Sequence, residues 1–413
     1  MDSSASIEVA KHALGVFAVI LAVGSLFGLA AQKLRVPDVA VFLLVGMALG
    51  PEGLGWVDIN ADSALNQGIL IFGACYILFD GGASLRLRVL QDVWVSIVLL
   101  ATIGVAVTTL VTGYAAAALL NIPLVIAMLL ASAIASTDPA TLVPVFRQVK
   151  IKDRVAQTVM SESAFNDATG AILTFALLAA ASGQGDFSVS HTLMGLAQQA
   201  GIGLIAGLGL GYLAALLIAH EKLSFLAEYS PLVTLMAVVA AYLGADGLQA
   251  SGFMAVFVFG IVLGNKDAFG FSMEAGEEQK MEDYVATTAL IARMLIFVLL
   301  GSQVDFDLMR QHFLGGIAVV AVLMFVARPL TVFVCTLPDR RARWSFKEML
   351  FMCWTRETGV IPGALAGMLV GMGAPQAQLI ASVTFMAILA TILLQATTTR
   401  WLARKLGILE EAT

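Results

Sequence analysis

Apolar residues in this chain fall in long unbroken runs, not in the period-two alternation of a half-buried strand. Read against charged and Gly/Pro breaks, the runs predict thirteen helices at about 12–32, 37–50, 64–84, 91–119, 123–147, 156–182, 191–219, 229–245, 249–264, 282–301, 312–335, 347–369 and 377–400. Most are long enough to cross a hydrocarbon core of roughly 30 Å. Without strand-like alternation no membrane barrel is predicted. The fold class expected is an all-α polytopic membrane protein, in which each span satisfies its own backbone polar groups.

Composition agrees, since 59% hydrophobic and 13% charged residues leave too little polar surface to coat soluble domains. A net charge of −6 and the lack of a basic face argue against nucleic acid as a partner. Cys75, Cys335 and Cys353 all lie in apolar runs and give neither a disulfide framework nor metal-ligand spacing. The distribution of charge sharpens the topology. Of 23 Lys and Arg, eighteen fall in alternate connections and the C-terminal tail, Lys11 and Arg310 fall on the other side, and Arg293, Arg328 and Arg356 lie inside spans. By the positive-inside rule the N-terminus is expected outside and the C-terminus in the cytoplasm of an integral plasma (inner) membrane protein. Asp2, Glu8 and the length of the first run speak against a cleaved signal peptide. The tails and the longest link, 265–281, are short, so no soluble regulatory domain is expected.

Two spans are predicted to be interrupted. One reads Ser136-Thr137-Asp138-Pro139, where Pro139 removes a backbone donor and disfavours helix at Asp138. The other reads Thr355-Arg356-Glu357-Thr358-Gly359-Val360-Ile361-Pro362-Gly363. They lie seven helices apart and so cross in opposite directions. That is the arrangement of an inverted repeat, with 12–182 the first copy, 229–400 the second and 191–219 the connecting helix of one membrane unit, 1–413.

Ionisable residues inside spans are expensive and mark function. Depths follow from a rise of about 1.5 Å per residue: roughly 9 Å from the cytoplasmic end for Glu162, 10 Å for Arg328, 14 Å for Asp138 and Arg356, 16 Å for Asp167 and Arg293, and 6 Å for Asp80. Glu162 and Arg328 are level and opposite in sign, which predicts an interhelical ion pair. Glu162 and Asn166 share a helix face, as do Ser163 and Asp167, so Asn166 is expected to be held by the ion pair. Asp138 and Arg356 are placed to compensate half-helix ends. Where its helix unwinds, Thr137 can turn its carbonyl and hydroxyl toward Asp167, and oxygen ligands with one carboxylate make a hard-cation site. None of the four histidines is mid-span, so no histidine proton relay is expected.

These residues resemble a family. Phe79-Asp80-Gly81-Gly82, Thr137-Asp138-Pro139, Glu162-Ser163-Ala164-Phe165-Asn166-Asp167, Phe297-Val298-Leu299-Leu300-Gly301 and Ala327-Arg328-Pro329-Leu330 are similar to the motifs of monovalent cation/proton antiporters, in particular the electroneutral NhaP and sodium/proton-exchanger branch. The resemblance implies an NhaA-like antiporter fold in which Asp167 binds cation or proton, Thr137 and Ser163 add oxygens to a Na+ site, and Asp80 lies in the ion funnel. It implies that Glu162, Asn166 and Arg328 form a structural network. It also implies a homodimer with a transport core at about 91–182 and 312–400, moving against a dimerisation part at about 12–84 and 229–301. One departure is Glu357, which follows Arg356 where the family commonly has glycine. The function expected is exchange of Na+, with Li+ and K+ as alternatives, for H+, one for one and with no cofactor. A buried carboxylate lets proton and cation compete for one charge. Two other classes fare worse. Val111-Thr112-Gly113-Tyr114 scrambles a potassium filter, and His220-Glu221 begins a zinc-protease motif whose second His is replaced by Ser224.

Overall fold

The computed structural model describes residues 3–34, 37–137, 151–183, 189–220 and 223–409, and among them every regular element is a helix, apart from one isolated bridge, Ile151 to Leu409. The helices are α1 (Ser3–Leu34), α2 (Asp38–Leu49), α3 (Ala64–Ala83), α4 (Leu87–Ala101), α5 (Ile103–Leu120), α6 (Leu124–Ala133), α7 (Asp153–Ala181), α8 (Val189–Ala219), α9 (Ser230–Gly247), α10 (Gly252–Gly264) and α11 (Ala275–Ser302). They continue as α12 (Phe306–Gln311), α13 (Phe313–Val322), α14 (Arg328–Thr336), α15 (Phe346–Trp354), α16 (Val360–Gly371), α17 (Ala377–Thr391) and α18 (Thr397–Leu406). Nine helices among the described residues are long and apolar enough to cross a membrane, and four shorter apolar ones, α2, α6, α10 and α16, lie between them. The number thirteen stays an expectation, since a ten-residue helix rises only about 15 Å.

Local chemistry explains where the predicted helices divide. The run 91–119 becomes α4 and α5 at Thr102, whose hydroxyl donates back to the Val98 carbonyl at 2.6 Å, a bond that bends helices. The run 347–369 divides into α15 and α16, with residues 355–359 outside helix. In the run 123–147, α6 stops at Ala133, and Asp138 and the rest of that run lie outside the described residues. Start signals are side-chain caps, as at Ser63, Ser251 and the Ser345/Glu348 capping box.

Two helices contain π turns that hydropathy does not reveal. Leu323–Ala327 joins α13 to α14 and ends where Pro329, which lacks an N–H, would otherwise clash with the carbonyl four residues back. Ile392–Ala396 joins α17 to α18, where the hydroxyls of Thr397 and Thr399 bond back to the carbonyls of Leu393 and Gln395.

Two groups of helices result. α1–α3 pack with α8–α11 around the largest core, which includes Phe42, Tyr76, Phe79, Phe257 and Phe297. α4–α7 pack with α13–α18 around smaller clusters on Leu129, Val319 and Ile380 and on Val155, Phe351 and Met352. α7 and α16 lie where the groups meet, α7 against α10 and α16 against α3 and α11.

Candidate functional site

The site is built where the ends of α6 and α15 approach α7. The C-terminal end of α6 leaves carbonyls without helical partners, and Arg356, from the stretch between α15 and α16, donates to two of them, Ile134 O and Ala135 O, each at 2.8 Å. The C-terminal end of α15 is closed likewise: Arg328 Nε donates to Met352 O at 2.9 Å, and Nη2 reaches Thr355 O at 3.4 Å. Each broken end thus receives a guanidinium, and both are almost wholly buried.

Arg328 also pairs with Glu162 of α7 through both of its terminal nitrogens, one hydrogen bond being Nη2 to Oε2 at 2.9 Å. The fork satisfies both carboxylate oxygens in a place where an uncompensated charge would be costly. One turn along α7, the environment changes from ionic to neutral and polar. Asn166 Oδ1 accepts the Thr137 N–H at 3.0 Å while its Nδ2 donates to Thr137 Oγ1 at 3.0 Å, and that hydroxyl lies 2.6 Å from Ser163 Oγ.

This corrects the expectation that the ion pair holds Asn166. Glu162 is saturated by Arg328, and the amide, which carries both donor and acceptor, instead closes the orphaned backbone at Thr137. Asp167, 5% exposed, lies one turn beyond Ser163 on the same face of α7. Glu357, at the second break, is fully buried.

Asp80 is half-buried at the end of α3 and lines a cavity of about 510 Å3 with Arg86, Lys266, Glu278, Glu282 and Asp283. Lys266, buried, pairs there with Glu278. Sequence reasoning missed Thr391, whose hydroxyl accepts the Thr358 N–H at 2.9 Å, and Gln395, fully buried in the second π turn. A polar stripe at 391, 395 and 398 in an otherwise apolar span was the available signal.

A buried acid one turn from a hydroxyl and amide cluster, on a helix beside which α6 and α15 end on buried arginines, fits a membrane transporter of small cations. The chain belongs to the sodium/hydrogen exchanger family: the family model described as the transmembrane sodium/hydrogen exchanger matches residues 18–405. It is similar to Na(+)/H(+) antiporter 1 of Methanocaldococcus jannaschii, 33% identical over 368 residues, covering 86% of this chain and 82% of that protein. K(+)/H(+) antiporter NhaP of Alkalimonas amylolytica is 30% identical over 387 residues, 91% of this chain. The chain spans only 64% of the length of that relative. Among solved structures, the sodium proton antiporter MjNhaP1 from Methanocaldococcus jannaschii at pH 8 superimposes with a TM-score of 0.81 at 30% identity, covering 94% of this chain and 99% of that one.

Proposed function

We propose that this protein is a secondary active antiporter that exchanges Na+ for H+, one for one, by alternating access. The observation that carries the reading is Asp167, buried on α7 one turn beyond Ser163, which is hydrogen-bonded with Thr137 and Asn166 in one group, while the neighbouring acid Glu162 is committed to Arg328. A carboxylate in that setting is neutralised by one proton or by one monovalent cation, so the two compete, and competition with alternating access is exchange. Thr137 and Ser163 complete the cation's oxygen shell, Asn166 holds Thr137 in register, and the cavity at Asp80 is the approach from the cytoplasm. Asp138 belongs to the same site in this reading, and Arg356 compensates the end of α6.

The segments at about 91–182 and 312–400 form the moving core, those at about 12–84 and 229–301 the dimerisation part of a homodimer in the plasma (inner) membrane, with the N-terminus outside. 12–182 and 229–400 are the inverted repeats. A second reading, K+ in place of Na+, is supported by the similarity to K(+)/H(+) antiporters. The test is cation-dependent proton flux in proteoliposomes holding a pH gradient, with Na+, Li+ and K+ compared in parent and Asp167→Asn. Flux in the parent no greater than in Asp167→Asn would overturn the reading, and flux with K+ alone would replace Na+ by K+. The one-for-one ratio is tested by clamping the potential with valinomycin and finding the cation gradient that halts proton flux. A null point that moves with voltage would exclude it.

A further inference from the structure

Beyond each helix end a backbone amide of the non-helical stretch is held by a side chain of a neighbouring helix. Thr137 N–H is held by Asn166 of α7, an amide that also bonds the Thr137 hydroxyl. Thr358 N–H is held by Thr391 of α17, a hydroxyl whose own proton is given to the Ala387 carbonyl at 2.7 Å, so it has no donor left for the break. An amide does exist on the second side. Gln395 lies one turn beyond Thr391, and Thr398, three residues further, accepts the Trp354 indole N–H at 2.8 Å. Thr391 and Thr398, on either side of Gln395 in the chain, thus grip the two ends of the stretch 354–358.

Gln395 is 0% exposed, and neither its Nε2 nor its Oε1 has a hydrogen-bond partner among the described residues. It also sits inside the π turn Ile392–Ala396. Buried amides are nearly always satisfied, and π turns recur where a helix has been adapted to function. A methionine or leucine would fill the same volume without two idle polar atoms, so retaining the amide sacrifices stability, the signature of a group kept for use.

We propose that Gln395 is a positioning residue for ion exchange: its amide is the second holding point for the unwound 355–358 backbone, engaged when the break between α15 and α16 shifts along α17 and α18 during the transport cycle. Donor and acceptor on one side chain can serve the N–H and C=O groups that unwinding exposes, as the Asn166 amide serves the N–H and the hydroxyl of Thr137. Gln395 acts through the break and does not bind the ion. Its removal should slow the conformational step and leave the affinity for cation and proton alone.

The inference rests on the antiport reading, and parent protein with Asp167→Asn as the zero-flux reference keeps the two apart. Full-length Gln395→Met and Gln395→Leu are assayed in proteoliposomes for cation-driven proton flux against cation concentration and pH, with thermal unfolding of each. The expected result is a fall in kcat of fivefold or more, a cation KM within twofold of the parent, an unmoved pH midpoint and an unfolding temperature equal to or above the parent's. A rate within twofold of the parent overturns the proposal. So does a raised KM with kcat kept, which would make Gln395 an ion ligand, and so does a lowered unfolding temperature or failure of both variants to fold, which would make it structural. A parent that exchanges no better than Asp167→Asn removes the antiport reading and this inference together.

Discussion

The two helix groups are held together by different means. In α1–α3 with α8–α11, helices meet backbone to backbone at paired glycines: a Cβ on Gly46 would strike the Val298 carbonyl and one on Gly301 the Leu43 carbonyl, and Gly82 and Gly260 interlock α3 and α10 in the same way. In α4–α7 with α13–α18, helices meet through side-chain hydrogen bonds. Thr108 lies 2.9 Å from Thr331, Thr169 donates to Ala101 O at 2.6 Å, and Ser96 donates to Asp339 at 2.6 Å. Glycines there face side chains, as Gly316 does Met386. Interlocked backbones cannot slide without steric clash, whereas hydrogen bonds between side chains can exchange partners. The glycine-packed group is therefore expected to behave as one rigid body, and changes of state to occur in the polar group, which also carries the candidate site.

The largest expected effect is on transport. Asp167→Asn should abolish exchange while leaving the fold intact, because an amide cannot alternate between proton and cation; retained cation-dependent proton flux would separate the site from the polar group. Next is the ion pair. Glu162→Gln or Arg328→Met leaves one buried charge uncompensated and should lower stability by about 3–5 kcal/mol, more than Asp167→Asn does. The double variant should recover part of that loss, and purely additive unfolding data would mean that the pair is not coupled.

On the other side of the comparison, Gly301→Ala forces a Cβ against the Leu43 carbonyl and should cost about 1–3 kcal/mol by overpacking, with the exchange rate of the folded fraction unchanged. A neutral Gly301→Ala would show that close backbone approach is not what unites that group. The smallest effect concerns Asp339, in the link before α15. Burial pushes its pKa up, but bonds from the Ser96 hydroxyl and the N–H groups of Ala342, Ser96 and Arg341 outweigh it, and the carboxyl titrates below the ordinary value. A depressed folded pKa stabilises the protein above the unfolded value of about 3.9 and loses that contribution as pH falls through the folded one. Asp339→Asn should therefore lower the unfolding temperature at neutral pH, by about 1–3 kcal/mol in stability, and the difference from parent should close on acidification.

Much of this was written in the hydropathy pattern and in depth along the spans. Runs of apolar residues locate the helices, and counting rise per residue sets Glu162 level with Arg328, which are in contact. Depth carries no azimuth, however. It could not tell that Asn166 turns to Thr137 instead of toward Glu162, because that choice depends on which backbone groups the break exposes. The division at Thr102 and both π turns were also illegible, since they depend on hydroxyl-to-carbonyl bonds and on an i→i−5 pattern that leave hydropathy unchanged. The glycine contacts escaped for a similar reason: a glycine in an apolar run reads the same whether it faces lipid or a neighbouring backbone.

Chain length itself aims Arg328. A π turn holds one residue more than α geometry allows, so the helix beyond Leu323–Ala327 is rotated by roughly 100° from where an uninterrupted α-helix would carry it. Arg328 is the first residue after that turn, and its meeting with Glu162 is a matter of phase as well as of charge. Deleting Phe325 or Val326, both more than half exposed, would restore the α period and leave the guanidinium in phase with its acid, because the π turn already absorbs one residue. In this segment a one-residue difference is absorbed by exchanging π for α geometry, so homologous chains that differ by one residue here can share the same buried network where the charged residues align.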